Sequence, residues 1–560
     1  MKFVIAAGVA LAFSAFGCGT GSSGDDDTGA GWDGGAGTDT GTTDADGDTD
    51  TDADTDTDAD TDTDNDTDTD TDTDGDMDSD GDSDTSDTSD TSGTDTSDPC
   101  ADCTTDELCC SGTCVQTASC DFAVVSASPD HGWQNGGDWV TLSGAGFVAG
   151  MRVFLGDGRA PVLVKGPTSA VVQTPPGLAG QVDIRIESGS SQATLPKAFA
   201  YQSGKLTQTW IQIAMGTIRG RAPGLAVMQD GRVLIVGGVT GPGGYNPDTA
   251  TDSAEIFDRE GESVSSVASK MSTVRWFPAA VTLLDGRVLV VGGACWQNMS
   301  QCYGDPTRAD LFDPATETFT PTGSPLNKSR VFPRAVLLVD GRVLLGTVND
   351  SSYEIYDPAT DAFTLVTPLA GNGYGFIARL RDGRVLLGGG NNTAAAELFD
   401  SDTNGFTATG SLNTQRYWPT AHTLPDGHVA VIGGSPGTCC AWSPLDSIEL
   451  FDPAGGTFSI APYKLKSPRF EHGSTLVRDG TILVIGGFTT SEQCSSNTAS
   501  VDQIDPIKGA VESFPVFPQP SSEVSAVTLL DGSILVAGGG GCGAAPVPYV
   551  DFLEGSPVIK

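Results

Sequence analysis

A nine-residue motif recurs seven times in the C-terminal part of this 560-residue chain. Each copy begins with Asp-Gly and continues through a β-branched and apolar run, and six of the seven end in a glycine pair. The copies start 42 to 55 residues apart, at Asp230, Asp285, Asp340, Asp382, Asp426, Asp479 and Asp531. Because glycine supplies the backbone freedom that a hairpin turn needs, each copy predicts two adjacent antiparallel strands.

The remainder of each repeat predicts two further strands. In the second copy, the runs 278–284 and 287–291 flank the turn, and shorter runs follow at 309–312 and 318–320. Four short strands per repeat, seven times over, predict an all-β ring of sheets. The seventh repeat offers only three strands, so 206–213 is expected to supply its outer strand and to close the ring.

These repeats resemble kelch repeats, and residues 205–560 resemble the seven-bladed β-propeller of the galactose oxidase-like superfamily. That resemblance implies a fold, and propellers host many activities. The best-known member is a copper radical oxidase, whose metal site uses two tyrosines and two histidines and includes an adjacent Tyr-His pair. This chain contains no Tyr-His dipeptide, and its four histidines are His131, His422, His428 and His472. Oxidase activity of that type is therefore not expected.

Residues 1–17 predict an export signal. They carry Lys2, an apolar run and small residues, and the run is too short to span a bilayer. The sequence Ala15-Phe16-Gly17-Cys18 resembles a bacterial lipoprotein cleavage box, which implies lipidation of Cys18. The expected location is the cell envelope, as an outer-membrane lipoprotein exposed on the surface, with simple secretion as the alternative.

Residues 18–99 predict a disordered, lipid-anchored acidic linker. Residues 19–99 contain 30 Asp and neither Lys nor Arg, which accounts for two thirds of the formal net charge of −45. Such a segment has too little apolar surface to fold, and its self-repulsion extends it. Stretches at 70–75 and 76–81 resemble the start of calcium loops but lack the glutamate of position twelve. Weak calcium association is the only cofactor interaction expected, and no metal site is predicted.

Residues 100–120 predict a small cysteine-rich module. In an exported chain this spacing favours three disulfides over a zinc site. The six cysteines are Cys100, Cys103, Cys109, Cys110, Cys114 and Cys120.

Residues 121–202 predict a β-sandwich. The stretch 139–147 (Trp-Val-Thr-Leu-Ser-Gly-Ala-Gly-Phe) and the turn 174–177 (Thr-Pro-Pro-Gly) resemble an IPT/TIG immunoglobulin-like domain. The alternating strands and turn residues independently favour a sandwich of this length. The resemblance implies a spacer or adhesive module without chemistry of its own.

The loops after the glycine pairs are the expected binding face. They are long in the first, second, fifth and sixth repeats, and long loops on one face of a rigid scaffold commonly carry function. Their aromatic residues suit sugar stacking, although chance surface decoration is the alternative. These residues are Tyr245, Trp296, Tyr303 and Trp442. The same loops hold six cysteines expected to form disulfides: Cys295, Cys302, Cys439, Cys440, Cys494 and Cys542.

An arginine stands ten residues ahead of the Asp-Gly aspartate in four repeats, at Arg275, Arg330, Arg416 and Arg469. Bidentate guanidinium groups ringing a channel mouth could hold carboxylates of a ligand. The alternative is structural, with each arginine tying its blade to a neighbour through a repeat carboxylate such as Glu255 or Glu397.

The function expected from the sequence is non-catalytic binding or adhesion, with a carbohydrate or another surface protein as partner. Membrane contact is expected through the lipid anchor only, and the protein is expected to be a monomer. Nucleic-acid binding is disfavoured, because acidic residues outnumber basic ones 44 to 29 even outside the acidic tail. The alternative is an enzyme, a lyase or hydrolase acting on an acidic polysaccharide, with His422 or His472 as the base.

Overall fold

The computed structural model describes residues 108–110, 113–115, 122–240, 249–293, 305–347, 350–369, 375–390, 393–436, 442–491, 496–540 and 549–555. These residues contain strands and turns but no α-helix, as the all-β prediction required. Within them no helix is long and apolar enough to cross a membrane. A short hairpin pairs β1 (Leu108–Cys110) with β2 (Thr113–Val115). Cys18 and the acidic linker lie outside the described residues.

The predicted sandwich forms two sheets. Its strands are β3 (Ala123–Ser128), β4 (His131–Trp133), β5 (Trp139–Ala145), β6 (Arg152–Leu155), β7 (Gly158–Ala160), β8 (Val162–Gly166), β9 (Ser169–Gln173), β10 (Gly180–Ser188) and β11 (Ser191–Gln202). One sheet has the order β3-β5-β9-β8 and the other β4-β11-β10-β6-β7. Val140 and Leu142 of β5 join Ile184 and Ile186 of β10 in one fully buried core. The alternation along 139–142 therefore places its apolar side chains between the sheets.

The remaining strands form seven four-stranded antiparallel sheets. They are β12 (Leu206–Ala214), β13 (Gly224–Val227), β14 (Val233–Val236), β15 (Ala254–Asp258), β16 (Ser263–Ser266), β17 (Ala279–Thr282), β18 (Val288–Val291), β19 (Ala309–Asp313), β20 (Thr318–Pro321), β21 (Pro333–Leu337), β22 (Val343–Thr347), β23 (Tyr353–Asp357), β24 (Ala362–Val366), β25 (Phe376–Arg379), β26 (Val385–Gly388), β27 (Ala396–Asp400), β28 (Gly405–Ala408), β29 (Thr420–Thr423), β30 (Val429–Ile432), β31 (Ser447–Asp452), β32 (Thr457–Lys464), β33 (Gly473–Leu476), β34 (Ile482–Ile485), β35 (Val501–Asp505), β36 (Ala510–Phe514), β37 (Ser522–Thr528), β38 (Ile534–Gly540) and β39 (Tyr549–Gly555).

The seven sheets are the blades of a closed propeller. Each of the first six blades consists of four consecutive strands, from β13–β16 in the first blade to β33–β36 in the sixth. The seventh blade has the strand order β12-β39-β38-β37. The innermost strands contact one another in sequence, and β37 contacts β13. The outer strand β12 pairs with β39 from Leu206 opposite Gly555 to Ala214 opposite Tyr549. This confirms the expectation that 206–213 completes the last blade.

The glycine pair that follows the second-strand run in six of the seven blades allows close packing of neighbouring blades. Gly237 has a φ of 67° and Gly238 a φ of 93°, in the left-handed region that favours glycine. A Cβ atom on Gly237 would lie 2.7 Å from the Arg275 carbonyl oxygen of the next blade. The glycines therefore allow the backbones of neighbouring blades to approach each other closely.

The sandwich packs against the end of the propeller that carries the Asp-Gly turns. The Trp133 Nε1 atom donates to the Leu530 carbonyl at 2.8 Å, and the Arg159 backbone N–H donates to the Arg381 carbonyl at 2.6 Å. Asp402 accepts from both terminal nitrogens of Arg159, at 2.8 and 2.9 Å. The sandwich thus shares a hydrogen-bonded interface with the propeller.

Ring closure can be tested at Trp210. This half-buried side chain on β12 meets Phe517 edge-on, with 5.2 Å between ring centroids, and donates to the Pro515 carbonyl at 3.2 Å. We expect Trp210→Ala to lower the free energy of unfolding by about 2 kcal/mol, since it removes apolar contacts from a partly exposed site. Denaturant titration followed by circular dichroism would measure this. Gln208→Ala, at an exposed position on the same strand, should leave the midpoint unchanged. Equal denaturation midpoints for the two variants would contradict the closure of the propeller ring by β12.

Candidate functional site

The four arginines predicted to ring the channel mouth lie inside the blades. All four are fully buried, and each forms an ion pair with a carboxylate on the third strand of its own blade. The pairs are Arg275–Asp310 at 2.5 Å, Arg330–Glu354 at 2.7 Å, Arg416–Glu449 at 3.0 Å and Arg469–Asp502 at 3.2 Å. Their prediction as ligand-binding residues was therefore wrong. The alternative, in which each arginine pairs with a carboxylate of the repeat, agrees better with the structure. Each pair, however, lies within one blade instead of bridging two.

A fifth pair occurs in the first blade. Arg219 and Glu255 are fully buried and lie 3.0 Å apart. The ten-residue spacing does not predict Arg219, because this arginine stands eleven residues ahead of Asp230.

Each arginine also fastens backbone segments, as Arg416 illustrates. Its Nη1 atom donates to the carbonyls of Gly433 and Ser447, both at 2.8 Å. Burial lowers the pKa of Arg416, and the Glu449 carboxylate acts against that shift. The guanidinium thus joins the start of the first strand, the glycine pair and the third strand.

The residue two positions after each arginine has a left-handed backbone and lines the channel. Its φ lies between 51° and 55° in Phe277, Phe332, Trp418 and Glu471, in Arg221 of the first blade, and in Glu523, two positions after Ser521 in the seventh. All six line one cavity of about 480 Å³ at the loop-bearing end of the channel. We call these six residues the mouth ring. Left-handed non-glycine backbone is sparsely populated and often marks functional sites.

One side of the mouth ring is aromatic. Phe332 meets both Phe277 and Trp418 edge-on, with 5.1 Å between ring centroids in each pair. Phe277 is partly exposed, whereas Phe332 and Trp418 are buried. This side offers an apolar surface to the cavity.

The other side of the mouth ring is ionic. The Arg221 Nη1 atom lies 2.8 and 2.7 Å from the two carboxylate oxygens of Glu523. The Glu471 side chain is buried, and among the described residues its carboxyl oxygens accept no hydrogen bond. Burial and the nearby Glu523 raise the pKa of Glu471 well above its usual range. Glu471 therefore favours its protonated form. Burial also raises the pKa of Glu523, and the positive charge of Arg221 acts against that shift.

Two histidines line the same cavity. The His422 Nε2 atom lies 2.6 Å from the Ser474 hydroxyl, and the His472 Nε2 atom lies 3.0 Å from the Thr420 hydroxyl. Burial lowers the pKa of His422 to about 4 and that of His472 to about 3. Both imidazoles are therefore uncharged at neutral pH. Such low pKa values make them weak bases, which disfavours the catalytic role considered from sequence.

The other predicted site residues lie elsewhere. Trp442 is buried and stacked between Tyr417 and Phe470, with centroids 5.5 and 5.0 Å away, so it is not the exposed sugar platform that was predicted. The loop residues Tyr245, Trp296 and Tyr303 lie outside the described residues, as do Cys295, Cys302, Cys439, Cys440, Cys494 and Cys542. In the part of the chain that the structure describes, no three potential metal ligands cluster together.

Comparison with known proteins identifies one domain and one fold. The family model of the IPT/TIG domain matches residues 123–201, which confirms the sandwich prediction. A solved fungal alcohol oxidase of the AA5 family, described as catalytically diverse and in complex with copper, is similar to 64% of this chain. The match covers 77% of the oxidase chain, with a TM-score of 0.50 and 17% sequence identity. At this identity the likeness shows the propeller fold and not the activity.

The structural role of the blade arginines can be tested at Arg416. We expect Arg416→Gln to cost about 3–5 kcal/mol of stability, because it leaves Glu449 buried without its cation. Chemical denaturation would measure the loss, with Arg384→Gln as control, since Arg384 forms an exposed pair with Asp382. A stable Arg416→Gln protein that had lost ligand affinity would instead support the original binding hypothesis.

Proposed function

We propose that this protein is an exported surface lipoprotein that binds carbohydrate at the mouth ring without transforming it. The observation that carries this proposal is the two-sided cavity, with the aromatic side formed by Phe277, Phe332 and Trp418. Across it stand two carboxyl groups and an arginine. A pyranose has apolar C–H faces and a rim of hydroxyls, and such a cavity offers partners for both.

The size and hydrogen-bonding capacity of the cavity support a sugar. About 480 Å³ falls within the usual range of small-molecule sites. A protonated Glu471 both donates and accepts hydrogen bonds, as a ligand hydroxyl does. The carboxyl group of Glu523 is held in place by Arg221 and can accept hydrogen bonds.

The chain ahead of the propeller supports a role at the cell surface. A lipid on Cys18 would anchor the protein, and the acidic linker, about 80 residues long, could extend up to ~260 Å. A single propeller per chain, acting as a monomer, would then be presented away from the membrane. A surface protein carrying a suitable side chain or glycan is the other partner class.

A second candidate function is catalysis, as a hydrolase or lyase acting on an acidic polysaccharide. It is favoured by one observation, the buried Glu471 beside Glu523 at the edge of the cavity. A carboxyl group with a raised pKa can act as a general acid toward a glycosidic oxygen, and an ionised partner could serve as base.

The aromatic side can be tested at Phe277, its partly exposed member. We expect Phe277→Leu to weaken binding of neutral oligosaccharides about tenfold, because leucine retains apolar volume but no ring face. Phe277→Tyr should restore the affinity. Isothermal calorimetry on a panel of oligosaccharides would measure both. Undiminished binding by the leucine variant would show that sugar does not stack at the mouth ring.

The two candidate functions are separated by Glu471→Gln. For a binding protein we expect this change to alter affinity less than tenfold and to yield no products with either form, because the amide still donates and accepts hydrogen bonds. Mass spectrometry of polysaccharide digests would read product formation. Shortened or unsaturated products from the parent protein, lost in the variant, would establish the catalytic function instead.

A further inference from the structure

One arginine in the channel lacks the partners that every comparable arginine has. Arg334 lies on the innermost strand β21 of the third blade and lines the cavity at the mouth ring. Among the described residues of the propeller, every other arginine donates a hydrogen bond or forms an ion pair. Within the described part of the chain, the guanidinium carbon of Arg334 lies 5.3 Å from the ring centroid of Trp418, and Tyr417 and Tyr353 interact with Arg334 electrostatically.

A second unsatisfied donor lies beside it. The Trp418 Nε1 atom is buried and, within the described part of the chain, has no hydrogen-bond acceptor. Trp418 lines the same cavity as Arg334. Two residues that line the cavity, one of them a cation, thus carry donor groups for which the described residues supply no acceptor. Leaving such groups unpaired is costly, and a bound acceptor would remove the cost.

The charge balance of the cavity points to the same ligand chemistry. Arg221 is neutralised by Glu523, Glu471 favours its protonated form, and His422 and His472 are uncharged. Among the residues that the structure describes, the guanidinium of Arg334 has no counter-charge. Burial lowers the pKa of Arg334, and the described groups that act against this shift are Tyr417 and Tyr353, with no carboxylate among them. A desolvated cation of this kind attracts an anion more strongly than an exposed one does.

We propose that Arg334, assisted by the indole N–H of Trp418, forms a subsite for the anionic group of an acidic sugar. The planar guanidinium can bind a carboxylate or a sulfate ester through two parallel hydrogen bonds. This subsite rests on the proposed carbohydrate-binding function and specifies its ligand: a sugar whose oxyanion reaches β21 while its ring meets the aromatic side of the mouth ring.

The first test compares trigalacturonate with its methyl ester, which has the same rings without the charges. Calorimetry with the full-length protein should show the acid bound about tenfold more tightly than the ester. Arg334→Gln should bind both equally, and Arg334→Lys should retain part of the preference because it keeps the cation. Arg287→Gln, which changes a paired arginine beside an Asp-Gly turn, should keep the full preference. Equal binding of acid and ester by the parent protein would overturn the subsite, as would a preference that survives in Arg334→Gln.

The second test distinguishes failure of the subsite from failure of carbohydrate binding. Phenylglyoxal should label Arg334 in the free protein, since its guanidinium is unpaired, and peptide mass spectrometry would locate the label. Galacturonate and galactose 6-sulfate should protect Arg334, whereas galactose should not, and the two acids together show which oxyanion is preferred. Protection by the acids alongside failed oligosaccharide binding would retain the anion subsite and reject the wider function. Tight binding of neutral sugars with no protection by either acid would reject the anion subsite and retain the carbohydrate-binding function.

Discussion

The buried arginine–carboxylate pair within a blade is the interaction on which the candidate site depends. Its guanidinium joins the start of the innermost strand to the glycine pair and to the third strand. In the fifth blade, Arg416 makes these contacts through Gly433, Ser447 and Glu449. Because the arginine is held from several directions, the chain immediately after it has little freedom. The left-handed residue two positions later is therefore projected into the channel in a defined position.

The sequence repeat gives the blades similar structures, and the candidate site is formed where individual blades depart from that repeat. The left-handed position is aromatic in the second, third and fifth blades, and its occupants change to Glu471 and Glu523 in the sixth and seventh. The seventh blade also has Ser521 in place of the arginine, and Asp551 on its third strand accepts from Gln212 instead. Burial raises the pKa of Asp551 to about 6, as expected for a carboxyl group that has lost its cation. A ring of similar sheets thereby acquires one apolar side and one ionic side.

The sequence was sufficient to predict the propeller because its periodic signals are local. Asp-Gly turns, glycine pairs and alternating strands each follow from short-range geometry, and the missing fourth strand of the seventh repeat points to 206–213. The site was harder because burial is not local. The position of Arg275 within the repeat does not indicate whether its side chain faces a ligand or the interior of the blade. A usable signal was present two residues later, where phenylalanine and tryptophan give way to glutamate. Arg334 could not be recognised from sequence, because its distinction is the absence of a partner in space.

The sandwich domain makes the two ends of the propeller channel different. Its segment 135–138 and Thr174 line the cavity at the Asp-Gly end, so this domain lies across one opening of the channel. Trp133 and Arg159 hold it there through hydrogen bonds to the propeller backbone. The mouth ring lies at the opposite end of the channel. The position of the IPT/TIG domain at the Asp-Gly end therefore agrees with the proposal that the propeller binds its ligand at the mouth ring.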